Sequence, residues 1–159
     1  MRRGELRAYT ALTVACGLAW ALLSGFLAGP TVEGRYFPVR TDQRVADVAR
    51  ADGRLCWTWS SLKVRPAATD DLDVFLHVGD GGERMVVAPF GAADGQPWRR
   101  AAAAPIGPFT KRYCVAIPPH VPDGAHLRVE QTLYYRGPLG LWRVPLAVPD
   151  VVYPSEAAR

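Results

Sequence analysis

The feature that most constrains this chain is an uncharged, apolar run near its start. Residues 8–29 read AYTALTVACGLAWALLSGFLAG, and no Asp, Glu, Lys or Arg interrupts them. As a helix, this run spans about 33 Å, which matches the hydrocarbon core of a bilayer at about 30 Å. A soluble domain rarely offers such a run beside basic residues. The run therefore predicts one transmembrane helix over 8–29, with the lipid bilayer as a partner.

A cleaved signal peptide is the alternative for a chain that begins basic and then becomes apolar. Its apolar core usually has about 7–15 residues and ends in a small-x-small cleavage motif. Cleavage after Ala28 would place Phe26 in that motif, and cleavage after Gly29 would leave Pro30 directly beyond the cut. A lipoprotein site at Cys16 is disfavoured because apolar residues continue past it. We therefore expect an uncleaved signal anchor.

Basic residues indicate the direction of the helix. Arg2, Arg3 and Arg7 precede it, whereas the first basic residue beyond it is Arg35. Positive charges close to a membrane span tend to stay in the cytoplasm. We therefore expect residues 1–7 in the cytoplasm and the C-terminal domain on the periplasmic or extracellular side.

Small residues recur along one face of the predicted helix. Gly17, Ala21, Gly25 and Gly29 are spaced four apart, which places them on one stripe. Such stripes allow a second helix to approach closely. The stripe predicts packing either on another copy, giving a homo-oligomer, or on a membrane or envelope protein partner. Glycine and alanine are also common in spanning helices that have no such role.

The overall charge does not indicate a nucleic-acid partner. The chain has 19 Lys and Arg residues against 15 Asp and Glu residues, a formal net charge of +4. Three of those basic residues and one acidic residue stand in the first seven positions, leaving sixteen against fourteen. Because positive and negative residues are nearly equal in number, the domain lacks the single-sign electrostatic field that attracts phosphate backbones. We expect no nucleic acid among the partners.

The cysteines favour a disulfide in the domain that follows the helix. Cys16 falls inside the apolar run, so Cys56 and Cys114 form an even pair. In an oxidising compartment this pair could close a long loop, which the chain-entropy model values at about 4 kcal/mol as an upper figure. Two buried free thiols are the alternative.

Beyond the helix, short apolar segments and turn signals predict strands. Residues 73–78 and 83–88 flank Gly79-Asp80-Gly81-Gly82 and predict a hairpin. Residues 125–135 alternate between apolar and polar side chains, with 51–54 a turn and 45–50 ambiguous. Further strands are predicted at residues 55–64, 113–117 and 141–148.

Six or seven such strands predict a mainly β fold, an antiparallel β-sandwich or small barrel. The spacing of Cys56 and Cys114 suits an immunoglobulin-like architecture, but the adjoining Trp57, Trp59 and Tyr113 do not follow that family's pattern. Only the architecture is predicted. The expected organisation is an extended linker or first strand at 30–42, a β-sandwich at 43–153 and a tail at 154–159.

The segment 55–64 presents a packing problem. Strict alternation places Trp57 and Trp59 on one face and Leu62 and Val64 on the other. A bulge at Ser60-Ser61 would bring all four to the core, and we favour that interpretation. Regular pleating with two exposed tryptophans is the alternative.

No motif in the sequence indicates catalysis or a cofactor. None of the three serines outside the helix stands in a G-x-S-x-G turn, and a disulfide would remove Cys114 as a nucleophile. The possible metal ligands are too widely spaced for zinc or blue-copper sites. They are His77, Met85, Cys114, His120 and His126. We expect no enzyme, no metal and no cofactor.

An Ala- and Pro-rich segment, residues 91–112, carries the candidate interaction surface. Long loops often carry function. The basic and aromatic side chains in it are Trp98, Arg99, Arg100, Lys111 and Arg112. Two hypotheses follow: a membrane-anchored domain with a structural or interaction role, or a tethered module that binds carbohydrate or cell wall through exposed Trp and Arg. A solubilising loop with one anchoring Trp is the alternative for this segment.

Overall fold

The computed structural model describes residues 3–79, 82–98, 105–137 and 142–154, with side chains from Tyr9 onward. One N-terminal helix precedes two antiparallel four-stranded sheets, which confirms the predicted mainly β sandwich. Within these residues the strands are β1 (Arg40–Ala51), β2 (Arg54–Lys63), β3 (Thr69–Val78), β4 (Arg84–Val86), β5 (Phe90–Gly91), β6 (Gly107–Ala116), β7 (Leu127–Arg136) and β8 (Arg143–Tyr153).

The helix α1 (Arg3–Tyr36) is longer than predicted. We expected an extended linker or first strand at 30–42, but the helix continues through Pro30 to Tyr36, because its last turns pack on the β-domain, and β1 begins at Arg40. Among the described residues, Tyr9–Tyr36 is the one helical segment long and apolar enough to cross a membrane. Its most apolar stretch has a mean hydropathy of 1.9, and none of that stretch is buried within the protein. Signal sequences near an N-terminus share this length and composition.

The two sheets have the strand orders β1-β2-β6-β5 and β4-β3-β7-β8, and one apolar core lies between them. The predicted hairpin is confirmed by the pairing of β3 with β4, in which Leu76 lies opposite Met85. The predicted alternation of β7 is confirmed as well. Its buried side chains are Leu127, Val129, Gln131, Leu133 and Tyr135.

The strand β1 bends toward β8 of the other sheet. Asp42 and Asp47 have positive φ values of 50° and 52°, and the register with β2 shifts at both places. Such bulges bend a strand, and Asp tolerates the left-handed conformation better than most residues. The bends bring β1 against β8, where the Gln43 amide donates to the Ala147 carbonyl at 3.1 Å. At its end, Asp52-Gly53 forms the predicted turn, both residues having positive φ.

The tryptophans of β2 lie in the core. Trp57 is fully buried and Trp59 is 6 % exposed, as we favoured. The predicted bulge at Ser60-Ser61 is wrong, because β2 pairs with β6 without a register shift along its whole length. Ser61 and Lys63 therefore face inward and are buried, while Leu62 is partly exposed.

Polar partners explain why those two residues tolerate the interior. The buried guanidinium of Arg40 donates to Ser61 Oγ at 2.8 Å and to the Tyr135 hydroxyl at 2.6 Å. Lys63 Nζ donates to the Ala67 carbonyl at 2.9 Å. Burial lowers the pKa of Lys63, and the nearby charge of Arg40 lowers it further. A hydrogen-bonded network thus links the two sheets at the end of the sandwich nearest α1.

The predicted disulfide is confirmed. Cys56 and Cys114 are bonded with an S–S distance of 2.04 Å, and they lie directly opposite each other on β2 and β6. The bond therefore staples two neighbouring strands of one sheet, whereas an immunoglobulin-type bridge would join the two sheets. Cys16 is a free, exposed cysteine on α1.

Candidate functional site

The contact between α1 and the β-domain forms a polar site outside the core, and we call it the helix–domain junction. It consists of Gly29 and Glu33 on α1, Arg65 after β2, Gly137 after β7 and Trp142 before β8. The ring of Trp142 lies over Gly29, where an added Cβ would be 3.2 Å from the ring. The same ring meets Phe26 edge-on, with 6.2 Å between centroids. An aromatic side chain of the domain therefore packs on the helix where the uncharged run ends.

Glu33 is the centre of the junction. Glu33 is only 7 % exposed, although most described residues of α1 are exposed. Oε1 accepts a hydrogen bond from Arg65 Nη2 at 2.6 Å, and Oε2 accepts one from the Trp142 indole at 2.9 Å. A buried carboxylate is costly unless it is paired and hydrogen-bonded, and both conditions are met here.

Glycine allows the close approach at this site. A Cβ on Gly137 would lie 2.6 Å from Trp142 Nε1 and 3.1 Å from Glu33 Oε2, which leaves no room for one. On the helix side, a Cβ on Gly34 would lie 3.4 Å from Val144 of β8. The close approach therefore requires Gly137, whereas a Cβ at Gly34 would make an ordinary van der Waals contact.

A groove of about 400 Å³ opens beside the junction, and we call it the junction groove. Val32 and Phe37 form its exposed apolar wall, with 47 % and 59 % of their surfaces accessible. The Arg65 side chain is 30 % exposed, and its Nε has no acceptor among the described residues. The full lining is Gly29, Val32, Glu33, Phe37, Arg65 and Trp142.

Sequence reasoning missed most of this site. Glu33 and Arg65 were not singled out, and Gly137 was not considered. Trp142 was not connected with the helix either. One signal was present: Glu33 is the first charged residue after the uncharged run, and an acid so close to lipid requires a partner.

The small-residue stripe is divided by the junction. Gly17, Ala21 and Gly25 are exposed, and an added Cβ at Gly17 or Gly25 would meet nothing within 4 Å. Gly29 is instead covered by Trp142. Three members of the stripe are therefore open to a second helix, whereas the fourth serves the fold of this chain.

Three members of the predicted interaction surface, Trp98, Lys111 and Arg112, lie among the described residues. Trp98 is half-buried and lines a groove of about 550 Å³ with Val86, Pro89 and Pro97. Lys111 and Arg112 are exposed but adjacent on β6, so their side chains leave opposite faces of the sheet. Lys111 Nζ lies 5.4 Å from the ring centroid of Tyr113. Arg99 and Arg100 lie outside the described residues.

Comparison with protein-family models and with curated proteins finds no match for this chain. Among the described residues, no three His, Cys, Asp or Glu side chains come together as a group that could hold a metal ion. The helix, the junction and the disulfide are therefore the features that bear on the function of this protein.

Proposed function

We propose that this protein is a single-pass membrane protein whose helix anchors a non-catalytic β-sandwich on the extracytoplasmic face, where the domain interacts with membrane or envelope partners. The observation that carries the proposal is the packing of the Trp142 ring on Phe26 and Gly29 of α1. Cleavage near residue 29 would leave Glu33 with the domain but would remove Phe26, and with it the ring contact to Trp142. A domain residue that packs on residues 26–29 favours a retained anchor over a cleaved signal peptide.

Two further observations support the compartment and the orientation. The Cys56–Cys114 disulfide is a feature of oxidising compartments. The basic residues Arg2, Arg3 and Arg7 precede the uncharged run, and this bias favours a cytoplasmic N-terminus. Both point the β-domain away from the cytosol.

The interaction role is supported by what the exposed surface offers. The open part of the stripe, Gly17 to Gly25, suits close contact with another helix. The domain itself presents an exposed Val86, with 81 % of its surface accessible, beside the groove at Trp98. Both exposed surfaces support a binding role.

Membrane fractionation tests the anchor directly. The full chain with a C-terminal tag should stay in the membrane pellet after alkaline carbonate extraction and should retain its first residues on N-terminal sequencing. Protease added outside the cell should reach the β-domain. A soluble product, or a mature chain that begins near residue 30, would overturn the proposal.

A matched pair of variants sharpens this test. Leu18→Arg combined with Leu22→Arg places two charges on the exposed helix, at roughly 2.5–3.5 kcal/mol each at the centre of a span, and should release the chain from the membrane. Val86→Arg adds a charge at a comparably exposed site of the domain and should leave the chain in the pellet.

A tethered carbohydrate-binding module is the second candidate, favoured by the half-buried Trp98 in its groove. Trp57 and Trp59 are in the core and unavailable for stacking on a sugar. The candidate therefore rests on Trp98, and Trp98→Ala should abolish retention on a cell-wall polysaccharide column. Equal retention of the variant and the parent chain would refute this second role.

A further inference from the structure

The junction groove lies at the height where a lipid headgroup would be. The uncharged run ends at Gly29, which also lines the groove. From residue 29 to 33 a helix rises about 6 Å. Each polar layer of a bilayer is about 5–8 Å thick, the difference between a total of about 40–45 Å and a core of about 30 Å. The groove therefore opens within the polar layer and borders the hydrocarbon.

The walls of the groove match the two halves of a phospholipid. Val32, Phe37 and the indole of Trp142 provide apolar and aromatic surface, and Tyr36 beside them is 67 % exposed. Aromatic side chains are favoured at this depth of a membrane. These groups would contact the upper part of an acyl chain.

Arg65 provides the polar end. Its guanidinium has five N–H donors in a planar fork that suits phosphate oxygens. Nη2 donates one hydrogen bond to Glu33, and Nε is buried, so a phosphate would meet the terminal nitrogens of this side chain, which is 30 % exposed. Arg65 and Glu33 form an ion pair whose charges cancel, so the guanidinium offers the phosphate N–H donors rather than a net positive charge.

We propose that the junction groove binds one phospholipid of the outer leaflet, with its phosphate on Arg65 and the start of an acyl chain along Val32, Phe37 and Trp142. This inference rests on the proposed anchoring of α1 in a bilayer. The bound lipid would fill the groove beside the junction and accept hydrogen bonds from the exposed N–H groups of Arg65.

Photo-crosslinking in a defined bilayer tests the inference. The full chain is reconstituted into phosphatidylcholine nanodiscs that contain a small fraction of phosphatidylcholine with a diazirine near the top of one acyl chain. After irradiation, peptide mass spectrometry should find labelling concentrated at Val32, Phe37 and Trp142. An even distribution along residues 9–29, without enrichment at the groove, would overturn the proposal.

Two pairs of variants separate the groove from the rest of the surface. Val32→Trp fills the groove and should reduce labelling there by roughly tenfold, whereas Leu27→Trp, at a helix position with 68 % exposure outside the lining, should not. Arg65→Gln should reduce labelling similarly, whereas Arg35→Gln should leave it unchanged. Unchanged labelling in Val32→Trp would refute the site even if Arg65→Gln loosened the junction. Failure of the parent chain to enter nanodiscs would instead count against the membrane anchor.

Discussion

The indole Nε1 of Trp142 donates a 2.9 Å hydrogen bond to Oε2 of Glu33, a residue 109 positions earlier in the chain. Arg65 binds the other oxygen of the same carboxylate. Three segments, namely the helix, the stretch after β2 and the start of β8, therefore meet at one side chain. This carboxylate thus joins the helix to two separate parts of the domain.

Replacement of Glu33 should release the last turns of α1 from the domain. Glu33→Leu leaves the part-buried donors of Arg65 and Trp142 without their acceptor, and because the 30 % exposed Arg65 can turn to water, the total cost should be about 1–3 kcal/mol. Amide hydrogen exchange in residues 30–37 should accelerate by roughly 5- to 150-fold, the range that this free energy implies. Mass spectrometry of the full chain in detergent measures the exchange.

Of the two control variants, one keeps part of the Glu33 contact and the other leaves it intact. Glu33→Gln retains an acceptor for Trp142 and should give an intermediate rate. Glu83→Leu removes a carboxylate that is 62 % exposed and should not change exchange in α1. If Glu33→Leu left the exchange of residues 30–37 unaltered, the carboxylate would not be what holds the junction.

Gly137→Ala should displace the indole of Trp142. The new Cβ would lie 2.6 Å from Nε1, so the ring must move away from Glu33. The Trp142 indole resonance in a ¹⁵N-correlated NMR spectrum should shift and exchange faster with solvent. Gly124→Ala is the matched control, because a Cβ there meets nothing within 4 Å. Identical spectra for both variants would contradict the close approach at Gly137.

Loss of the disulfide should destabilise the sandwich but leave its membrane association intact. The Cys56→Ala, Cys114→Ala chain should lose about 2–4 kcal/mol in free energy of unfolding, since the bond closes a loop with a sequence separation of 58. Denaturant titration followed by the fluorescence of the buried Trp57 and Trp59 measures this loss. Cys16→Ala should have no effect. In the oxidised parent chain, only Cys16 should react with a thiol reagent after denaturation.

Stability should fall in alkaline solution because of buried tyrosines. Burial raises the pKa of Tyr113 to about 12, and burial also raises the pKa of Tyr135. Between about pH 10 and 12 the unfolded chain loses phenolic protons that the folded chain keeps, so the free energy of unfolding decreases as pH rises. The lowered pKa of Lys63 acts in the opposite direction below its ordinary value of 10.5.

Denaturant titrations at pH 9 to 12 measure this dependence. Tyr113→Phe should make the decline with pH shallower, whereas Tyr36→Phe, at an exposed position, should leave it as steep as in the parent chain. If the free energy of unfolding of the Tyr113→Phe chain declined with pH as steeply as that of the parent chain, Tyr113 would not be the cause of the alkaline destabilisation.

The sequence predicts the elements whose signal is local. The uncharged run, the alternation of β7 and the turn between β3 and β4 depend on neighbouring residues only. The path of β1 was not predictable in this way, because Asp42 and Asp47 interrupt its alternation with bulges that only the pairing with β2 reveals.

The polar sites were not predictable for a different reason. Ser61 and Lys63 face the core because Arg40 and the Ala67 carbonyl satisfy them, and alternation alone suggested a bulge instead. Glu33 is buried because Trp142 and Arg65 come from distant parts of the chain. A count of cysteines predicted the disulfide, but its place within one sheet follows from strand order.

In the proposed membrane-anchored state, the continuity of α1 into its docked last turns would leave the sandwich little freedom to rotate relative to the helix. In a bilayer the Trp98 groove would be carried at one height and one tilt. A partner embedded in the same membrane would meet it by lateral diffusion with both angles already set. The orientational search that slows association between freely tumbling proteins would then be much shorter.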